Sequence, residues 1–589
     1  MSPIDFGRRR ASPIWWWLTQ RIWSIEHAFE HAKAQRKEDD TGYRIFFVLV
    51  LFATAFATLG GWAIARAVLS GDGGAGGAPE AAVARADLVD RNGSLLAIDL
   101  VHYGVYLEPD EVWDKGETRR LLAAALPQVP PARLDKALAG QRRTLLLSGL
   151  TPDEKQRIHD LGLPGVGFET EERRVYPLGP TGAHLIGYAD TGGKGLAGAE
   201  RALDAQIRHA GAAGQPVALA MDLRIQAVLQ DELQKAVSEF QAVGGAGIVT
   251  DVHTGEILAM ASAPDFDPNQ AGNADPETTR DRMAASRFEM GSVMKVFTLA
   301  LALDSGTATL DTVIDTTHPL QIGTRTIHDY EHAESNLTVA KVFTTSSNMG
   351  AARIGLMAGA DTVKRYDTAF GLLSAAPVEL AESARPILPG RWTDSAVASV
   401  SFGHQLALSP LAVTAGMGSI LNGGHYVPLT ILKRDANYVP PSRQVVSPHT
   451  ASEMLRVMRM NVEHGTGTRA DALGLRVGGK TGSAEKPLAG HIARKALISS
   501  FAAVFPTDGP LDAKRYFVLI TLDEPKGDAL DAQERGDAVD HPARRGGGGP
   551  AAGGEAEGLL GGVRLVHHDQ DQVAGGVHRT VGGEDGGEG

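Results

Sequence analysis

The sequence predicts an α+β protein: an antiparallel sheet with helices packed on it, preceded by an extended mixed domain. Three observations carry this. AGIVTDVHTGEILAMAS (Ala246 to Ser262) reads as two apolar strands around a His-Thr-Gly-Glu turn, a hairpin. A helix-rich region follows, with KVFTLALALDSG, LTVAKVFTTSSNMGAARIGLMAG and SPLAVTAGMGSILNGG. Strand-like segments then return in LRVGGKTGSAEK, ISSFAAVFP and RYFVLITLDEP. A hairpin first, helices between and strands last is the order of one sheet built from both ends of a domain.

The chain of 589 residues is too long for one ordinary domain. Its composition is globular, and a net charge of −13 offers no footprint for nucleic acid. There is no cysteine, which excludes disulfides, thiolate metal sites and a cysteine nucleophile.

Residues 1–44 form a basic arm that carries Arg8, Arg9, Arg10, Lys33, Lys37 and Arg44. Ile45 to Leu69 is apolar apart from Arg66, and about 20 such residues suffice to cross a bilayer as a helix. The basic flank puts the N-terminus in the cytoplasm and everything after about residue 70 outside, as a single-pass membrane protein.

SGDGGAGGA opens the next segment as a flexible linker, and residues 70–240 read as a pedestal or docking domain. ADLVDRNGSLLAIDL is a strand, an Asn-Gly turn and a strand, and TPDEKQRIHDLG starts with the Thr-x-x-Glu of a capping box. Residues 241–527 form the sheet-and-helix domain. Residues 528–589 are glycine-rich and acidic, without Phe, Tyr, Trp, Ile, Met or Lys, and cannot bury enough apolar surface to order themselves.

The chemistry starts at FEMGSVMKVFT, where Ser292 and Lys295 stand at i and i+3 and share a helix face. A serine hydroxyl becomes a nucleophile when a base takes its proton. A lysine serves as that base when low dielectric and neighbouring positive charge disfavour its ammonium form. Alone, the pair equally suits a solvated helix face. TTSSNMG adds Ser346 and Asn348 where a helical pattern is interrupted, and GGKTGSAEK adds Lys480, Thr481, Gly482 and Ser483 on a strand. Ser-x-x-Lys, a Ser-x-Asn and Lys-Thr-Gly in that order are the signature of serine β-lactamases and penicillin-binding proteins.

With these motifs the extracellular part resembles the class B penicillin-binding proteins, the monofunctional peptidoglycan D,D-transpeptidases, and its division-type members most of all. RADLVDRNG, RRVYPLGPTGAHLIGY, DVHTGEILAMASAPDFDPN, HGTGTRA and DEPKG carry the resemblance too. It implies a penicillin-binding/β-lactamase-like serine transpeptidase fold. It further implies that Ser292 attacks a D-Ala-D-Ala carbonyl, with Lys295 as base, and that Ser346 relays a proton to the leaving D-alanine with Lys480 nearby. Asn348 would orient Lys295, and Thr481 and Ser483, around Gly482, would hold the substrate carboxylate. The N–H groups of Ser292 and Ser483 would form the oxyanion hole. The implied partners are peptidoglycan stem peptides, β-lactams, a polytopic peptidoglycan glycosyltransferase and division proteins, with no cofactor. Around the nucleophile the sequence departs from the family's usual Pro-Gly-Ser-Thr-Phe-Lys through Met290, Val293 and Met294.

Other signals point elsewhere. GTGTRA lacks the Gly-Lys-Ser/Thr of a phosphate loop, and His328 and His332 lack the His-Glu-x-x-His of a metal helix. His404 in SFGHQL reads as a packed or loop histidine that family analogy puts near the substrate groove. A further strand and a helix are expected after DEPKG, and the tail supplies neither, so a reading-frame departure near residue 527 is the preferred account. An alternative frame encoding an aromatic-containing strand and helix would confirm it; its absence on resequencing would refute it. The competing functions are a D,D-carboxypeptidase or β-lactamase-type hydrolase, a β-lactam sensor, and an inactive division scaffold.

Overall fold

The computed structural model describes residues 49–54, 56–58, 85–323, 325–329, 335–435, 437–486 and 496–526. The basic arm, most of the apolar segment 45–69, His332 and the tail 528–589 lie outside these. Residues 49–54 and 56–58 are helical, and among the described residues no helix is long and apolar enough to cross a membrane. This N-terminal stretch belongs to a separate compact unit from residue 82 onward.

The pedestal is organised by β1 (Leu95–Leu107), which pairs antiparallel with β2 (Thr144–Leu150) and β3 (Val166–Val175). Leu88–Val89 pairs back onto the start of β1 across the turn at Asn92 and Gly93, as the Asn-Gly signal predicts. Helices α1 (Lys115–Ala125), α2 (Pro131–Ala139) and α3 (Pro152–His159) close over Val105, Leu107, Leu146 and Leu150. The capping box on α3 is present: Thr151 Oγ1 accepts from Glu154 N at 3.3 Å and Glu154 Oε2 accepts from Thr151 N at 2.8 Å.

Two of the stretches that carry the family resemblance meet below this sheet. Arg85, from RADLVDRNG, and Arg174, from RRVYPLGP, both bond the fully buried carboxylate of Glu200. Arg174 also reaches Asp99 at 3.1 Å, and Arg85 reaches Asp204 at 2.5 Å. A buried carboxylate between two guanidinium groups holds three distant segments in one register.

The second sheet is five-stranded among the described residues and antiparallel throughout. The early hairpin supplies β4 (Gly244–Asp251) and β5 (Ile257–Ala263). The late strands are β8 (Gly478–Lys486), β9 (Ala496–Phe505) and β10 (Tyr516–Asp523), in spatial order β8-β9-β10-β4-β5. Gly244 pairs with Asp523, so the first and last strands of the domain join before residue 527. The further strand expected after DEPKG is therefore not needed to connect this sheet.

Side chains alternate across the sheet. Val249, Leu258, Val518 and Leu522 face helix α4 (Leu223–Glu239), and Gly247 has no Cβ where one would meet Leu229 Cδ1 at 2.8 Å. Ile248, Met260, Phe517 and Leu519 face the main helical layer. That layer contains α5 (Lys295–Asp304), α6 (Val339–Thr344), α7 (Asn348–Ala358), α8 (Pro410–Leu421) and α9 (Pro448–His464). Helices α5 and α8 are apolar on nearly every face and are buried accordingly. Ser409 and Ser447 cap α8 and α9, each with proline at the first helical position.

Candidate active site

The nucleophile's turn is set by its glycine. Gly291 has φ of +50°, and a Cβ there would run into the carbonyl of Ser483. Gly482 is equally confined: its Cβ would lie 2.7 Å from Met290 O and 3.1 Å from Val293 N. Two glycines thus let the strand β8 press against the turn before Ser292. Short strand β6 (Phe288–Glu289), paired with β7 (Ala407–Leu408), leads into that turn.

Gly291–Met294 forms a 3₁₀ turn, and α5 begins at Lys295. The sequence suggests a plain helix start; the tight approach of Ser483 and the positive φ of Gly291 give the narrower turn instead. With three residues per turn, positions i and i+3 eclipse, so Ser292 and Lys295 are stacked on one side. Ser292 is partly exposed, and its hydroxyl makes no hydrogen bond among the described residues.

Lys295 is buried. Its Nζ donates to the carbonyl of Ser346, to Ser346 Oγ at 3.1 Å and to Asn348 Oδ1 at 2.7 Å. Lys480 has no exposed surface, and its Nζ donates to the same Ser346 Oγ at 3.0 Å and to Thr481 O at 3.2 Å. Ser346 therefore sits between two lysine amines. Burial, then the charge of Lys480, pushes the Lys295 pKa well below the usual lysine range, against the pull of Asp329. Burial lowers Lys480 to about 7.

Ser346 occupies the break between α6 and α7, with φ of +59°. A serine seldom adopts this region, and the two lysines that grip its carbonyl and hydroxyl hold it there. Ser347 caps α7 by accepting from Gly350 N.

Asp329 is an unforeseen member of the site. Its carboxylate accepts from Ser347 Oγ at 2.6 Å, Asn348 N at 2.5 Å and Met349 N at 2.9 Å. It thus neutralises the exposed N–H groups at the start of α7 and fixes the Ser346–Asn348 loop. A lone aspartate in HDYEHAE gives no sequence signal of this. His328 beside it is exposed.

Thr466 and Asn461 are the other additions. Thr466 Oγ1 accepts from Thr481 Oγ1 at 2.9 Å, and Asn461 Nδ2 donates to Gly479 O at 2.9 Å. They brace the start of the Lys480 strand from α9 and from the turn that follows it. Ser483 is exposed, and Thr481 half-exposed, on the same strand that buries Lys480. GTGTRA ends in a short 3₁₀ turn, Thr468–Ala470, on the way to this strand. The structure thus gathers Lys295, Ser346, Asn348, Lys480 and Thr481 through hydrogen bonds, with Ser292, Gly482 and Ser483 joined to them through backbone packing.

A serine beside two depressed lysines that share a second serine defines a class, the serine acyl-transferring enzymes. Comparison with known proteins narrows it. Residues 245–540 match the penicillin binding protein transpeptidase domain, and residues 80–210 match the penicillin-binding protein dimerisation domain. The chain is 53% identical to the probable peptidoglycan D,D-transpeptidase FtsI of Caulobacter vibrioides, over 88% of this chain and 89% of that one. It is 28% identical to the peptidoglycan D,D-transpeptidase FtsI of Escherichia coli K12, over 76% and 80% respectively. A crystal structure of a peptidoglycan synthetase from Bifidobacterium adolescentis shares the fold, with a TM-score of 0.57, 21% identity and coverage of 79% of this chain and 97% of that one. The chain belongs to the penicillin-binding protein transpeptidase family, and carries that family's dimerisation domain ahead of the catalytic one.

Proposed function

We propose that the protein is a membrane-anchored peptidoglycan D,D-transpeptidase that cross-links stem peptides through an acyl-enzyme on Ser292. The observation that carries this is the convergence of Lys295 and Lys480 on Ser346 Oγ, at 3.1 and 3.0 Å, beside the Ser292 turn. Burial lowers both lysines and the charge of Lys480 lowers Lys295 further, which makes a neutral amine available near pH 7.

Lys295 takes the proton of Ser292 as Oγ attacks the carbonyl of the penultimate D-alanine. The N–H groups of Ser292 and Ser483 receive the developing oxyanion. Ser346 then passes a proton to the leaving D-alanine nitrogen, resupplied from the lysine pair. Asn348 keeps Lys295 aimed, while Thr481 and Ser483 hold the substrate carboxylate. An amine on a second stem peptide takes the acyl group and frees Ser292. A β-lactam enters as the first substrate and stays attached.

The segment 45–69 is the proposed single membrane span, with the arm 1–44 cytoplasmic, the pedestal 70–240 and the catalytic domain 241–527 periplasmic, and 528–589 a tail. Similarity to proteins named FtsI supports a septal role beside a polytopic glycosyltransferase and other division proteins. The test is labelling of membranes with a fluorescent penicillin beside Ser292→Ala. Stable labelling of the wild type only is expected. An unlabelled wild type sinks the reading, and rapid loss of label favours a hydrolase.

A further inference from the structure

The lysine pair accounts for one flank of Ser292. Next to the turn that carries Ser292 stands a second acid–base pair that the mechanism above does not use. Glu289 stands three residues before the nucleophile. His404 Nδ1 lies 2.8 Å from Glu289 Oε2, and Gln405 N donates to Glu289 Oε1 at 2.8 Å. In the tautomer where Nδ1 donates to the Glu289 carboxylate, the neutral imidazole leaves Nε2 as its acceptor nitrogen. No hydrogen bond occupies Nε2 among the described residues.

Gln405, just after His404, has φ of +62°, a region a residue with a side chain seldom adopts, and Gly403 before it has φ of +100°, open to glycine. Gly291 N donates to Gly403 O at 3.3 Å, and a Cβ on Gly403 would strike the Gly291 carbonyl. His404 is thus one residue away from backbone contact with the residue before Ser292. Side chains of His404 and Glu289 are 31% and 28% exposed, so the pair faces solvent rather than the core. A strained loop that presents a carboxylate-oriented imidazole at the rim of a nucleophile is how proton-transfer pairs are built.

The chemistry has a place for such a pair. An acceptor amine arrives as an ammonium and must lose two protons in becoming an amide nitrogen. The second is the mirror image of leaving-group protonation and falls to Ser346 and the lysines. The first has no group assigned to it.

We propose that Glu289 and His404 form the acceptor-amine subsite, taking a primary ammonium of a second stem peptide, with His404 Nε2 removing its first proton. The neutral nitrogen then attacks the acyl carbon of the Ser292 ester. The new C–N bond forms, the C–Oγ bond breaks, and the second proton returns to Ser292 Oγ through Ser346. The imidazolium, steadied by Glu289, releases its proton to water, matching the one that the departed D-alanine takes up. His404 is the catalytic residue of this step and Glu289 a positioning residue.

The proposal rests on the transpeptidase reading, and its test keeps the two apart. Full-length wild type, His404→Gln, His404→Ala and Glu289→Gln are compared in two assays. Acylation is followed with a fluorescent penicillin. Turnover of a thioester donor is followed with a D-amino acid as acceptor, separating aminolysed from hydrolysed product. In His404→Gln we expect acylation within about twofold of wild type and aminolysis down roughly 10²-fold, the usual scale of a general base. Glu289→Gln should shift the same ratio in the same direction, and added imidazole should restore aminolysis to His404→Ala. Aminolysis that is unchanged, or that falls in parallel with acylation, overturns the proposal while leaving the transpeptidase standing. A wild type that penicillin does not label removes both.

Discussion

Lys480→Met should make the protein more stable and inactive. Lys480 is fully buried, and burial lowers its pKa from 10.5 to about 7. Near pH 7 the unfolded chain holds this proton fully and the native state holds about half of it. At about 1.36 kcal/mol per unit, the shift represents roughly 4 kcal/mol of lost stability near neutral pH. Methionine has similar length and no charge to desolvate. It forfeits the bonds to Ser346 Oγ and Thr481 O, at roughly 1 kcal/mol each, and the long, weak contacts to Thr466 Oγ1 at 3.4 Å and Thr481 Oγ1 at 3.5 Å, while Lys295 keeps Ser346 Oγ bonded at 3.1 Å. The net gain is about 1–3 kcal/mol. The sign follows from the depressed pKa: the penalty is greatest below about 7 and fades as pH rises towards 10.5, where the unfolded lysine loses its proton too. Urea unfolding of the two full-length proteins, near neutral pH and again near pH 10, reads both effects. The gap should shrink or reverse at the higher pH, and penicillin acylation of the variant should be negligible throughout. A variant less stable than wild type at neutral pH, or a gap indifferent to pH, would refute the claim that Lys480 is held against its own desolvation.

Gly291→Ala places a Cβ against the Ser483 carbonyl at φ of +50°, so about 3 kcal/mol of stability and nearly all acylation should be lost, measured by thermal unfolding and penicillin labelling. Asp329→Asn weakens three hydrogen bonds at the start of α7. Roughly 2 kcal/mol should go, with acylation slowed about tenfold at every pH. Because Asp329 raises the Lys295 pKa, its loss leaves Lys295 easier to deprotonate, so rescue by alkali would show that deprotonation of the base rather than loop position limits the variant. Glu200→Gln strips the charge shared by Arg85 and Arg174 and should cost about 3 kcal/mol in urea unfolding, with the penicillin acylation rate of the folded protein unchanged.

What the sequence made legible is what covalent chemistry restricts to few residue types. Ser292 with Lys295, and the Lys480 strand, stand in local motifs whose spacing is set by a single turn or strand. The hairpin at 244–263 and the late strands are likewise legible, because short apolar runs of strand length bounded by turn residues read as strands. Asp329 and Thr466 are not, since each acts through a tertiary neighbour: Asp329 through a helix start beyond residue 345, Thr466 through the strand after residue 477. The 3₁₀ turn at Gly291 is hidden for the same reason. Its narrowness comes from Ser483, 192 positions away in sequence, pressing on a glycine. Helix α4 belongs to this group too: its sequence precedes the boundary drawn at residue 240, yet Leu229 and Leu233 pack on the second sheet.

The position of Lys480 makes catalysis a measure of sheet closure. Its strand β8 lies at one end of the order and pairs with β9, with Lys480 opposite Ala502, while Asn461, Thr466 and the Ser292 turn pack on it from the helical side. β9 pairs with β10, and β10 pairs with β4, where Ile520 meets Gly247. The nucleophile, by contrast, hangs from the helical layer through α5. The two lysines therefore meet on Ser346 only when strands from residues 244–263 and 478–523 have assembled in register. A slip of one residue in any of these pairings would turn Lys480 to the opposite face and carry its amine away from Ser346 Oγ. Penicillin labelling should consequently be lost together with sheet registry, even where the helical layer and Ser292 itself remain folded.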